Sequence, residues 1–148
     1  MEVFTSRRDW VFSLIYLTIT IVLFGSTIAA FFDDEFTWTS WVIVFFILGG
    51  INLIVLISFL FVKTKIENEE LIVNIMINVF RINIFKITKV RIGETMWSGL
   101  HKYGTSTGGL IIFSKFRDDL YITPKNQDEF LKQLLEVNRH IIIEDLRK

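Results

Sequence analysis

VFSLIYLTITIVLFGSTIAAFF, residues 11–32, contains no charged side chain, and neither does TWTSWVIVFFILGGINLIVLISFLFV, residues 37–62. At a helical rise of ~1.5 Å per residue the first run is about 33 Å long, enough to cross the hydrocarbon of a bilayer with slight tilt. Both runs exceed the ~18 apolar residues that separate a spanning helix from the core helix of a soluble domain. The pattern predicts two transmembrane helices, over about 10–32 and 40–62, the second starting near Ser40 behind Trp38 and Trp41. Trp10, Trp38 and Trp41 stand at the ends of the runs, where an amphipathic ring prefers the headgroup level. The first run is longer than the ~7–15-residue apolar core of a cleaved signal, so it is expected to stay as a helix.

The segments that flank these runs set an orientation. Asp33-Asp34-Glu35 lies between them without Lys or Arg, whereas Arg7 and Arg8 precede the first and Lys63 and Lys65 follow the second. The positive-inside rule then puts both termini in the cytoplasm and the acidic turn outside the cell membrane, where its carboxylates keep the loop polar. No Asp, Glu, Lys, Arg or His falls within either run. Such residues mark ion pathways and proton relays, so a channel or a transporter is not expected. Gly25 with Ala29, and Gly49, Gly50 and Asn52, are small or mild enough to face each other across an antiparallel helix pair.

After Lys65 the chemistry changes. The whole chain has Lys+Arg 16 against Asp+Glu 16, but most of that charge lies beyond the apolar runs. The net charge of zero gives no ground for a nucleic-acid partner. With Cys 0 there is neither a disulfide framework nor a thiolate nucleophile, and His101 and His140 alone do not make a metal centre. Short β-branched runs follow one another: Leu71-Ile72-Val73, Phe80 to Phe85, Ile87 to Ile92, Leu110 to Phe113, and Leu120 to Thr123. The alternation in Arg81 to Ile84 and Lys89 to Ile92 is that of half-buried strands. Five to seven strands in an antiparallel meander are predicted, with a hairpin across Ser114 to Asp119. Thr123 to Phe130 should then open a helix with Pro124 in its first turn and an Asn126–Glu129 capping box. Its apolar face is Phe130, Leu131, Leu134, Leu135 and Val137. The type of His140 to Leu146 stays open.

Strands closed by one helix are the order of a pleckstrin-homology-like (PH-like) domain. Leu120-Tyr121-Ile122-Thr123-Pro124-Lys125, with Phe130-Leu131, Leu134 and Asn138, resembles the closing signature of the YyaB-like bacterial PH domains. Lys65-Ile66 with Glu70 to Val73 is similar to the family's opening strand pair, and Ile82, Ile84 and Ile87 to the segment that follows. The resemblance covers about residues 63–138 and departs from the family over Tyr103 to Leu110. The fold class expected is therefore α+β, a transmembrane hairpin over 1–62 followed by a cytoplasmic PH-like antiparallel domain over 63–148, capped by a C-terminal helix. Because the family includes an immunity protein of a sublancin producer, the resemblance also implies a bacteriocin immunity role, of lantibiotic or sublancin type, with a peptide bacteriocin as partner.

No constellation for catalysis stands out, and no cofactor is expected. Gly104 to Gly109 lacks the Lys-Ser/Thr of a phosphate loop and reads as a flexible connection. Asp118-Asp119 reads as turn residues and His101 as an exposed loop histidine. The basic side chains are the remaining candidates. Lys63, Lys65, Lys89 and Arg91, with Lys86, Lys102, Lys115 and Arg117 behind them, are candidates for contact with an anionic leaflet, at about 1 kcal/mol each. The function expected is that of a non-enzymatic, membrane-anchored PH-like module with a protein or membrane-surface partner.

Overall fold

A computed structural model describes residues 3–32, 37–115 and 118–147. Two long helices, α1 (Trp10–Phe31) and α2 (Trp38–Phe61), form the hairpin. Their mean hydropathies are 2.1 and 2.8, and almost nothing of either is buried inside the chain, so both are long and apolar enough to cross a membrane. Asp9 caps α1 by accepting the Phe12 N–H, and Thr37 caps α2 by accepting that of Ser40. That cap places Trp38 in the first helical turn, two residues before the expected start. The acidic residues 33–35 lie outside the described residues.

Aromatic contacts close the hairpin at both ends. Tyr16 meets Phe59 at 4.4 Å, and Phe31 meets Trp41 at 5.4 Å. The glycines contribute no close approach. A Cβ built on Gly25, Gly49 or Gly50 meets nothing within 4 Å, so none of these glycines admits a close contact, although Gly49 and Asn52 do face α1 across a small gap. Asn52 alone of α2 is buried, beside a cavity of about 30 Å³ lined also by Leu23, Phe24 and Thr27.

The rest of the chain makes two sheets. The first contains β1 (Val3–Thr5), β2 (Val62–Glu67), β3 (Glu70–Ile75) and β4 (Ile77–Asn83), in that order and antiparallel throughout. A 3-10 turn (Ile84–Lys86) leads to the second sheet, which comprises β5 (Ile87–Glu94), β6 (His101–Lys102), β7 (Gly109–Ser114), β8 (Leu120–Ile122) and β9 (Ile142–Asp145). Its order is β6-β8-β7-β5-β9. The meander expected from the sequence is therefore incomplete, because β5–β9 and β6–β8 are parallel. Segment 140–146 returns to β5 only after the crossing helix α3 (Gln127–Val137), and such a crossover brings a strand back in the same direction.

The core lies between the sheets. Leu71, Val73 and Ile82 of the first face Val90, Ile112 and Ile122 of the second, and Phe130 and Leu134 of α3 close the open side. Of the expected capping box one arm is present: the Asn126 side chain accepts the Glu129 N–H. Pro124 is not in the first turn. It stands before the cap, bridged to Ser6. Asn138 ends the helix and donates from Nδ2 to the Ile84 carbonyl at 3.1 Å, a buried polar group thereby satisfied.

The strand that precedes the helices is the main departure. Residues 3–5 add an edge to the sheet that begins after α2, with Phe4 opposite Thr64. Phe4 is buried in the domain core, edge-on to Phe130 at 5.3 Å. The sheet therefore draws on both sides of the hairpin.

Candidate functional site

The densest polar arrangement sits where the sheets meet the first turn of α1. The backbone there is knitted first: Arg7 N–H donates to the Thr123 carbonyl at 2.6 Å, and Lys125 N–H to that of Thr5 at 2.8 Å. The Arg7 guanidinium donates to Ser106 Oγ at 3.1 Å and to the carbonyls of Thr107 and Gly108 at 2.5 and 3.2 Å. Asp9 spends one oxygen on the Phe12 N–H and the other on the backbone N–H and hydroxyl of Thr107. Burial pushes the Asp9 pKa up, but the Thr107 and Phe12 hydrogen bonds and the charge of Arg7 together hold it below its ordinary value.

The glycine-rich run is thus a packed element, contrary to the flexible loop expected. Gly104, Thr105 and Ser106 are buried. A Cβ on Gly104 would lie 2.3 Å from the Tyr121 ring, and one on Gly109 2.6 Å from the Ile122 carbonyl oxygen. Close backbone approach explains these glycines. The Tyr121 hydroxyl donates to the Ser106 carbonyl at 2.7 Å and accepts the Gly109 N–H at 3.2 Å. Burial pushes the Tyr121 phenol up. The amides of Thr105, Thr107 and Gly108 go to Thr123 Oγ1, Asp9 and Thr95 Oγ1. With those N–H groups committed to protein oxygens, the run presents no cradle to a phosphate.

Around this clamp an apolar seam joins sheet to helices. Phe12 is buried with Ile111 and Tyr121, and Tyr16, Phe59, Met96 and Phe113 pack about them. Arg8 ties the other helix, donating to the Leu60 carbonyl at 2.7 Å with its guanidinium over the Phe59 ring. The outer face of the second sheet is therefore the one turned to the helix ends. Arg7 and Arg8, noticed in the sequence only as flanking charge, are joints.

The four cations singled out from the sequence are not gathered into one patch. Lys63 and Lys65 alternate with buried Val62 and Thr64, which puts them on the outer face of the first sheet. Lys89 and Arg91 lie on the outer face of the second, beside Phe113. Lys65 pairs with Glu67 at 2.6 Å, Lys89 with Glu144, and Arg91 with Glu94 and Glu144 at 2.7 and 2.9 Å. Those partners hold Glu67 and Glu144 below their ordinary values. Lys63 is exposed, with no ion pair to a described residue. Arg117 lies outside the described residues.

His101 is not on an exposed loop. It forms part of β6 and leans on the Phe80 ring at 4.6 Å, at the edge of an open cleft of about 950 Å³ also lined by Asn78, Arg81, Lys115 and Asp118. Asp118 is thus beside this cleft. Among the described residues no three His, Asp or Glu side chains stand together to hold a metal ion.

A family model described as Bacterial PH domain matches residues 62–138, from the first residue of β2 to Asn138. The chain belongs to the bacterial PH domain family. It is also 25% identical over 141 residues to the uncharacterized protein YyaB of Bacillus subtilis (strain 168), covering 95% of this chain and 96% of that one. No solved structure matches the chain. The matched bacterial PH domain segment leaves out β1, both helices and β9, which here complete the two sheets and fasten them to the hairpin. The likeness to YyaB, over 95% of this chain, takes in both helices as well.

Proposed function

We propose that this chain is a non-enzymatic, membrane-anchored PH-like module, with its helices crossing the cell membrane and both termini in the cytoplasm, where the sheet domain meets a protein partner at or in the membrane. The observation that carries this reading is the double attachment. The helix α2 runs into β2 without a linker, and the segment before α1 is held by Arg7 and Asp9 to the Thr105–Gly108 loop. A domain fixed at two points presents one constant face, as a docking module requires.

Lys63, Lys65, Lys89 and Arg91 contribute to seating the domain on an anionic leaflet. Their carboxylate neighbours leave Lys63 as the strongest contributor. Crosslinking in intact cells tests the main reading. A membrane protein recovered with the full chain, and lost with Arg7→Ala plus Asp9→Ala at equal abundance, supports it. Lipid turnover in extracts, lost on His101→Ala, would replace it with an enzyme.

The narrower role of bacteriocin immunity rests on the family resemblance alone. Raised resistance of a sublancin-sensitive host that expresses the chain supports it, and unchanged resistance removes it.

A further inference from the structure

Outside the helices, the large apolar side chains most open to solvent include two neighbouring pairs. Met76 and Ile77 are 69% and 71% exposed, and Trp97 and Leu100 are 63% and 82% exposed. Neither stretch, Ile75-Met76-Ile77 nor Met96-Trp97-Ser98-Gly99-Leu100, carries a charge. Soluble domains avoid contiguous exposure of this kind unless it meets a partner or a membrane.

The fold puts both stretches at the ends of the helices. Ile75 pairs with Val62, the residue on which α2 ends, so the β3–β4 turn stands directly beside that end. Met76 makes this turn with φ 63°, a left-handed conformation for which Gly or Asn is the usual choice. A bulky apolar residue holds the tip instead. In the β5–β6 loop the Trp97 ring stacks on Phe12, in the first turn of α1, at 6.1 Å and 20°. The Lys102 ammonium lies over the rings of both Phe12 and Trp97, at 5.3 and 5.5 Å. This cation–π contact ties Lys102 of β6 to the loop and to the first turn of α1.

We propose that the β3–β4 turn at Ile75–Ile77 and the β5–β6 loop at Thr95–Leu100 insert into the headgroup region of the leaflet from which the helices emerge. The occupant of this surface is lipid. The surface is continuous with the helix ends through the Val62–Ile75 pair and the Phe12–Trp97 stack, and an uncharged aromatic and aliphatic tip suits the boundary between headgroup and acyl chain. The domain is then seated on the bilayer at two loops besides its covalent attachments, with one orientation. The inference rests on the reading that α1 and α2 cross the membrane.

The chain has no cysteine, so single cysteines carrying a water-sensitive fluorophore can be placed one at a time in the full chain, in vesicles of phosphatidylcholine and phosphatidylglycerol. The variants are Met76→Cys, Leu100→Cys, Lys86→Cys and Phe46→Cys. Lys86 lies beside the β2–β3 turn, about 20 Å along β2 from Val62. Phe46 lies on the exposed side of α2. Probes at 76 and 100 are expected to be quenched by a nitroxide near the headgroup end of the acyl chain and shielded from aqueous iodide. The probe at 86 should respond to iodide alone, and that at 46 to a deep nitroxide. Probes at 76 and 100 that behave like 86 while 46 remains in lipid overturn the proposal. So does shielding from both quenchers, which identifies protein, including a second copy, as the cover. A probe at 46 that responds to iodide overturns the membrane-crossing reading itself.

Discussion

Phe4→Ala tests whether the residues before the first helix belong to the sheet domain that follows the second. Phe4 is buried between the sheets and meets Phe130 edge-on. Truncating a buried Phe costs about 3–5 kcal/mol, from lost transfer energy and the cavity left behind. Phe4 lies on the edge strand β1, which pairs with one strand only, so partial collapse is easy and the lower end, about 3 kcal/mol, is expected. That is more than a hundredfold in the unfolding equilibrium, at about 1.4 kcal/mol per tenfold. It is also a large share of the ~5–15 kcal/mol that holds a typical domain. Brief proteolysis of the full chain in vesicles across a urea series reads the domain alone if, as proposed, the helices are held in lipid. With a urea dependence of ~1–3 kcal/mol per molar, the cleavage midpoint should fall by about 1–3 M. Phe85→Ala, at an exposed site on the 3-10 turn, is the control and should stay within about 0.5 kcal/mol. A Phe4→Ala midpoint equal to the control would refute the pairing of β1 with β2.

The clamp supplies further expectations. Gly109→Ala drives a Cβ against the Ile122 carbonyl, and overpacking of this kind should cost about 1–3 kcal/mol by the same proteolysis. Tyr121→Phe leaves the Ser106 carbonyl without its donor and the Gly109 amide without its acceptor, for a loss of about 1–3 kcal/mol. Asp9 titrates below its ordinary value of 3.8 in the folded chain, so its contribution is complete above pH 3.8 and is lost as pH falls through the lower folded value. Asp9→Ala should therefore lower stability at pH 7 by about 1–3 kcal/mol and flatten the decline below pH 3.8. If the basic side chains help seat the domain, a fluorophore at residue 76 should move toward water as ionic strength rises to about 1 M, where charges beyond ~3 Å are screened; an unchanged signal removes their role.

The helices were readable because each is one long run without a charged residue, a pattern that needs no distant partner to be seen. The α3 cap was readable because Asn126 carries its chemistry locally, and β3, β5, β7 and β8 because short apolar runs mark them. The missed features depend on partners distant in the chain. Val3-Phe4-Thr5 is too short to declare a strand, and its partner β2 lies beyond both helices. Glycines that admit the Tyr121 ring and the Ile122 carbonyl look, in sequence, like glycines of a flexible loop. The basic residues of β5 read as free charge until β9 returns in parallel and brings Glu144 between them. Asp9 alone left a local sign, a capping residue just before an apolar run, but its second oxygen belongs to Thr107.

The most direct test of the account is the side of the membrane on which each end of the fold resides. Single cysteines at Thr37 and Lys132 can be treated with an impermeant maleimide in intact cells. Labelling is expected at Thr37, and at Lys132 only once the cells are permeabilised. Labelling at Lys132 in intact cells, with Thr37 protected, would contradict it and turn the clamped PH-like domain to the outside.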